Sequence, residues 1–203
     1  MKMTDMSNIP KIFIDSNDLR DLSYHLAAKV LEQGFEPNYL VALWRGGTPV
    51  GAYVHEFFKK VGLKVDHIPI RTNGYDAVGK RSREVEVWGL DYIIDRIKSH
   101  DRLLFVDDVF DTGLTMQKVG ETLKQAAQER TPQFKTATPY YKPQKNETLN
   151  TAHPYIPDFY LETTTEWVSF PHELEDLTDQ EIEQYKGKNT LNLLKQFREK
   201  KFS

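Results

Sequence analysis

The 203-residue chain contains no cysteine, which excludes a disulfide framework, a thiol nucleophile and a thiolate-held zinc. It has no long apolar run. The strongest two, Tyr39 to Trp44 and Leu103 to Val106, fall far short of the ~20 residues of a membrane span. Nor is there a surplus of one charge: 27 Lys and Arg face 30 Asp and Glu, a formal net charge of -3. A protein that coats nucleic acid or an anionic membrane is therefore not expected. The opening residues Met1-Lys2-Met3-Thr4-Asp5-Met6 have no apolar core of signal-peptide length. Repeats, low-complexity tracts, a Walker loop, a Gly-x-Gly-x-x-Gly and a Gly-x-Ser-x-Gly are also missing, and the six histidines show no metal-ligand spacing. What is present is 39% hydrophobic residues, enough for a core. The expectation is one soluble, cytoplasmic domain over residues 1–203.

Leu19, Leu22, Leu26 and Val30 recur at helical spacing, with Asp15 or Ser16 to cap the helix and Gly34 to stop it. Tyr39 to Trp44 is apolar throughout, as a parallel strand buried on both faces should be. Arg45-Gly46-Gly47 follows, and then Thr48-Pro49, an N-cap and first-turn pair for a helix striped by Val50, Val54 and Phe57. Leu63 to Ile70 predicts a strand, and residues 71–84 a polar loop. Leu103 to Val106 is a second buried strand. After a turn through Gly113 comes a helix with Met116, Val119 and Leu123 on one face, and Phe134 to Tyr141 is a further strand. The repeated β-α-β order predicts an α/β fold, a mostly parallel sheet flanked by helices.

Beyond Lys142 the pattern changes. Three prolines punctuate an irregular stretch, with short β-like pieces at Asp158–Leu161 and Trp167–Phe170. Residues 143–173 read as a small hood subdomain beside the sheet. Residues 173–183 hold six acids and no base, and 184–203 hold six bases and one acid. Acids early and bases late suit helix dipoles, so 174–203 is expected to be a helical surface tail, a charged docking arm being the alternative.

The richest segment runs from Leu104 to Thr115. Asp107, Asp108 and Asp111 crowd the carboxyl end of a buried strand, where open α/β sheets place their ligands. Such acids repel one another unless something cationic or hydroxylic lies between them. Thr112-Gly113-Leu114-Thr115 then opens a helix, whose free amides, hydroxyls and dipole make an anion site. A sugar phosphate would satisfy both halves. An acidic strand end with an ordinary capped helix is the plainer alternative.

This segment resembles the PRPP-binding signature of the type I phosphoribosyltransferases: an apolar strand, two acids, two apolar residues and a Thr/Gly-rich turn. Phe105 and Phe110 are bulkier than the family's usual aliphatics. The resemblance implies that Asp107 and Asp108 hold the ribose hydroxyls, directly or through Mg2+ at Asp108. It implies also that the turn from Asp111 through Thr112, Gly113 and Leu114 to Thr115 holds the 5′-phosphate. Asp at the third acidic position marks the 6-oxopurine branch, and Asp111 would manage the base proton. Arg45, Gly46 and Gly47 correspond to the pyrophosphate loop, although alone they suit any tight βα turn. Residues 71–84 fall where the family has a mobile lid. Between Arg71 and Arg83 lie four bases and one acid, which suits a polyphosphate as well as it suits plain solvent.

Two further segments are similar to the bacterial xanthine-guanine and hypoxanthine enzymes. Lys142-Pro143 matches the lysine that contacts the purine 6-oxygen, a role an ammonium can fill only as a donor. Trp167-Val168-Ser169-Phe170-Pro171-His172-Glu173 matches their hood. There Trp167 would stack on the base, Val168 would read its edge, and Glu173, where the family has Asp, would lie near metal or base. Residues 144–157 look like an insertion. The resemblance implies a Mg2+-dependent transferase joining PRPP to a 6-oxopurine, with small-molecule partners, no nucleic acid or membrane, and a homodimer or tetramer. Its rivals are a PRPP-binding regulator without turnover and a transferase for another base.

Overall fold

The computed structural model describes residues 10–76, 83–143 and 156–201. The chain divides into two compact units, one from Arg20 to Thr165, the other from the described residues up to Leu19 together with those from Glu166 on.

The larger unit is a helix-flanked sheet. Strand β2 (Tyr39–Trp44) pairs in parallel with β3 (Asp66–Asp76) on one side and β5 (Arg102–Val106) on the other. Strand β7 (Gln133–Tyr141) adds to β5 in parallel, and β8 (Phe159–Thr163) adds to β7. At the far edge β4 (Arg83–Trp88) runs antiparallel to β3. Strand β2 therefore has neighbours on both edges and helices on both faces, which is why it is apolar at every position. Val41, Leu43, Leu103 and Phe105 face a core closed by α3 (Asp91–Ile94) and α4 (Leu114–Ala127), including Ile93, Met116, Val119 and Leu123. On the other face, α2 (Gly47–Lys60) brings Gly51 so close to β2 that a Cβ there would stand 2.8 Å from that of Ala42. Helix α1 (Ser16–Glu32) begins at the expected Asp15, whose carboxylate accepts the N–H groups of Asn17 and Asp18 at 2.7 and 2.8 Å.

The α/β expectation is met, and three local expectations are corrected. Helix α2 begins at Gly47, so Thr48 lies inside its first turn instead of capping it. The stretch read as a loop from residue 71 continues β3 to Asp76 and resumes as β4 from Arg83. Residues 77–82, with Lys80 and Arg81, lie outside the described residues. The strand at Phe159–Thr163 belongs to the main sheet; Asp158 ties it there by accepting the Thr136 N–H at 2.8 Å. Most of the 144–157 segment lies outside the described residues.

In the smaller unit, β1 (Lys11–Phe13) pairs in parallel with β9 (Trp167–Ser169). Thr178 and Glu181 form a capping box. It starts a short helix, Asp179–Glu181, that widens into the π turn Ile182–Lys186. Gly187, at φ 97°, breaks that turn before the helix Lys188–Lys201. Among the described residues no helix is long and apolar enough to cross a membrane.

Candidate active site

Helix α2 leads from β2 outward to β3, and α4 leads from β5 the other way to β7. The direction in which the chain winds across the sheet thus reverses between the adjacent parallel strands β2 and β5. The crevice outside their carboxyl ends is where such sheets bind ligands. The loop Arg45-Gly46-Gly47 leaves β2 there, and Asp107-Asp108 leaves β5 there.

The two acids sit in a break in the ladder. Strand β6 (Val109–Phe110) resumes pairing with β7 in the register of β5: Val106 is opposite Ala137, and Val109 is opposite Tyr140. Only Asp107 and Asp108 drop out, opposite Thr138 and Pro139. Pro139 has no N–H to donate, so the ladder cannot be continuous at that point. The Asp107 N–H still reaches Ala137 O on β7 at 3.1 Å, while the two carboxylates bond locally. Asp107 accepts the Asp108 N–H at 3.0 Å, and Asp108 accepts the Val109 N–H at 2.8 Å.

The glycines of the β2 loop press directly on this break. A methyl group on Gly46 would overlap the Asp108 carboxylate, and one on Gly47 would overlap the Val106 carbonyl oxygen. Both residues must be glycine for the loop and the acids to occupy one crevice. Burial first, and then the neighbouring charge of Asp108, push the Asp107 carboxyl well above the ordinary carboxylate range, although the Gly47 N–H bond works the other way. A buried carboxyl held up in this way would be relieved by a cation or by hydroxyl donors, so the pair fits a divalent metal or a diol.

Asp111 and Thr112, both half-buried, follow β6 and lead into α4. Gly113, at φ 75°, is the cap residue of α4. Having no side chain, it cannot fold back on the first-turn amides, and a helix N-terminus of this kind suits an anion. The Thr112 hydroxyl accepts the Leu114 N–H at 3.4 Å. Lys142 follows β7 and is buried; its backbone N–H donates to Phe110 O at 2.9 Å. The larger unit therefore gathers Arg45, Gly46, Gly47, Asp107, Asp108, Asp111, the turn to Thr115 and Lys142 along the carboxyl edge of one sheet. Trp167, Val168 and Glu173 belong to the smaller unit, where Trp167 and Val168 lie in β9. Glu173 closes the turn after it, accepting the Phe170 N–H at 3.0 Å.

A family model described as the phosphoribosyl transferase domain matches residues 15–175. No curated protein matches the sequence. Among solved structures, a purine phosphoribosyltransferase from Pyrococcus horikoshii is 23% identical, over 83% of this chain and 97% of that one, with a TM-score of 0.60. The xanthine-guanine-hypoxanthine phosphoribosyltransferase of Helicobacter pylori is 20% identical, over 82% and 96%, at 0.62. A Neisseria gonorrhoeae protein with bound ppGpp is 19% identical, over 87% and 96%, at 0.65. At these identities the structures share the fold.

Proposed function

The chain belongs to the phosphoribosyl transferase domain family, and from that premise we propose that it joins PRPP to a 6-oxopurine with Mg2+, giving a nucleoside 5′-monophosphate and pyrophosphate. The observation that carries this reading is the fit of Gly46 and Gly47 against Asp108 and the end of β5. That fit makes one crevice of an anion loop and a pair of acids, as a ribose bearing a pyrophosphate requires.

In this reading the amides from Asp111 to Thr115 and the α4 dipole hold the 5′-phosphate. Asp107 and Asp108 hold the ribose 2′- and 3′-hydroxyls, and Asp108 would also hold Mg2+, which when bound neutralises charge on the pyrophosphate. Arg45 and the Gly46 amide receive the pyrophosphate as its bond to C1 breaks, while Gly47 lets the loop approach β5. Asp111 lies beside purine N7, where its carboxylate steadies the positive charge of the sugar and takes up the proton that the base loses. Lys142 donates to the 6-oxygen and so prefers oxo to amino bases. Trp167 stacks on the base, Val168 reads its edge through the backbone, and Glu173 lies close to base or metal. The Pyrococcus and Helicobacter structures, described as purine and xanthine-guanine-hypoxanthine transferases, support the choice of base. The working form is a homodimer or tetramer, which light scattering tests.

The deciding experiment supplies purified protein with PRPP, Mg2+ and a panel of bases and follows pyrophosphate release. Release with hypoxanthine, guanine or xanthine, and none with adenine or orotate, is the expected result. Equal release with adenine would overturn the base assignment, and no release with any base would overturn the reading.

A further inference from the structure

Strand β9 carries Trp167, and what holds β9 comes from both ends of the chain. Its sheet partner is β1, joined from the Trp167 N–H bonded to Pro10 O at 3.2 Å through to the Ile14 N–H bonded to Ser169 O at 3.0 Å. At its exit the chain turns on Phe170. The Phe170 carbonyl accepts the Glu173 N–H at 3.0 Å, and the Phe170 N–H donates to Glu173 Oε2 at 3.0 Å. The same carbonyl accepts a second donor from far along the chain, the Lys186 ammonium at 2.6 Å.

Lys186 is aimed at this turn by its own element. It ends the five-residue π turn that begins at buried Ile182 and stops at Gly187. The π turn and the Asp179–Glu181 helix just before it are each fastened to β1 once. Lys11 donates to Glu181 Oε1 at 2.8 Å, and the ring of Tyr185 stacks on that of Phe13 at 3.6 Å and 7°. One short element of the tail therefore grips the sheet partner of β9 with one end and the exit of β9 with the other.

A partly buried ammonium is an expensive way to fill space. Burial pulls the pKa of Lys186 down, and Glu173 is the charge that opposes the fall. An apolar side chain of similar length would cover the same surface without that penalty. The charge is accounted for by the carbonyl that it holds, that of Phe170, in a turn whose Glu173 carboxylate favours the charged form. Lys186 also borders a cavity of about 360 Å3 shared with Asp15, His172 and Thr190, so it keeps access to water.

We propose that Lys186 is a positioning residue for base recognition: by holding the Phe170 carbonyl beside Glu173, it fixes the turn that presents Trp167. The inference rests on the base-binding role given to Trp167 under Proposed function. It gives the charged tail a part in the reaction although no tail residue need touch a substrate.

The test compares Lys186→Met and Lys186→Arg with the wild type, using PRPP and the best 6-oxopurine. Loss of one charged hydrogen bond should raise the KM for the base about tenfold in Lys186→Met, with the KM for PRPP within about twofold of wild type. Lys186→Arg, which can still donate, should restore most of the base KM. A loss of active protein would lower kcat and leave both KM values alone, so that pattern, or equal changes in both KM values, would overturn the proposal. If the wild type turns over no base, the transferase reading fails, and positioning is judged on the free protein. In a Trp44→Phe, Trp88→Phe background, Trp167 emission and iodide quenching should change in Lys186→Met and return in Lys186→Arg. Identical spectra in all three would end the idea.

Discussion

Asp108 fills the space that a side chain at position 46 would need, so Gly46 and Asp108 are a fitted pair joining two loops 62 positions apart in sequence. The neighbouring Gly47 meets backbone instead, the carbonyl of Val106. A carboxylate can swing aside, whereas a strand carbonyl cannot. The two glycines should therefore respond differently to the same substitution.

Gly47→Ala should destabilise the fold by about 1–3 kcal/mol, the range for forcing a methyl group into a packed site. Gly46→Ala should melt nearer the wild type but displace Asp108, raising the PRPP and Mg2+ concentrations needed for half-maximal rate. Thermal melts and steady-state kinetics on both variants check this. Equal losses of stability would show that Asp108 is as rigid as backbone.

Asp111→Asn should leave the melting curve unchanged and lower kcat by about 10²–10⁴, the usual range for a lost proton-transfer group. Near-wild-type turnover would remove the proposed role of Asp111 at N7.

Much of this site can be read in the residues themselves. Tyr39–Trp44 is apolar because it is central, and both its ends are visible from sequence. The acids at 107, 108 and 111 and the turn to Thr115 are contiguous, so one stretch of chain displays the whole constellation. Other features depend on distant partners and leave little local trace. Strand β1 has only three residues and owes its existence to β9. Phe159–Thr163 looks like an isolated piece until β7 is known to lie beside it. Lys186 sits among other charges of a polar tail, and nothing near it in sequence singles it out. Strand β4 was legible in principle: Val85 and Val87 alternate with Glu84 and Glu86, the period of a half-buried strand.

Asp107→Asn should stabilise the protein at neutral pH. Folding raises the carboxyl's pKa, so the folded state binds its proton more tightly than the unfolded chain does. The resulting loss of stability is complete above the raised value and vanishes below the ordinary value of about 3.9. The gain from Asn should accordingly shrink as pH falls through that window. Urea titrations across pH 4 to 8 measure it, and a gain independent of pH would contradict the shift.

His55 should give the opposite slope. Burial, helped by nearby His67 and Lys59, lowers its pKa, while its Nε2 meets Val65 O at 3.2 Å. The unfolded chain then binds the proton more readily than the folded one does. Stability should be full above about pH 6.5 and fall as pH drops through the lowered value. The difference between wild type and His55→Gln should follow that course; a constant difference would assign the acid sensitivity elsewhere.

The pairing of Lys11 with Trp167 also bears on the order of events during synthesis. The β1 segment is made well before β9, and it has no strand to pair with until Trp167 follows. The sheet from β2 to β8 can assemble on the emerging chain in the meantime. Closing so long a loop is a slow, late step. The element that carries Trp167 is thus completed only after the loops at residues 45–47 and 107–115 are in place, so a chain that lacks β9 should keep the crevice at the carboxyl edge of the sheet.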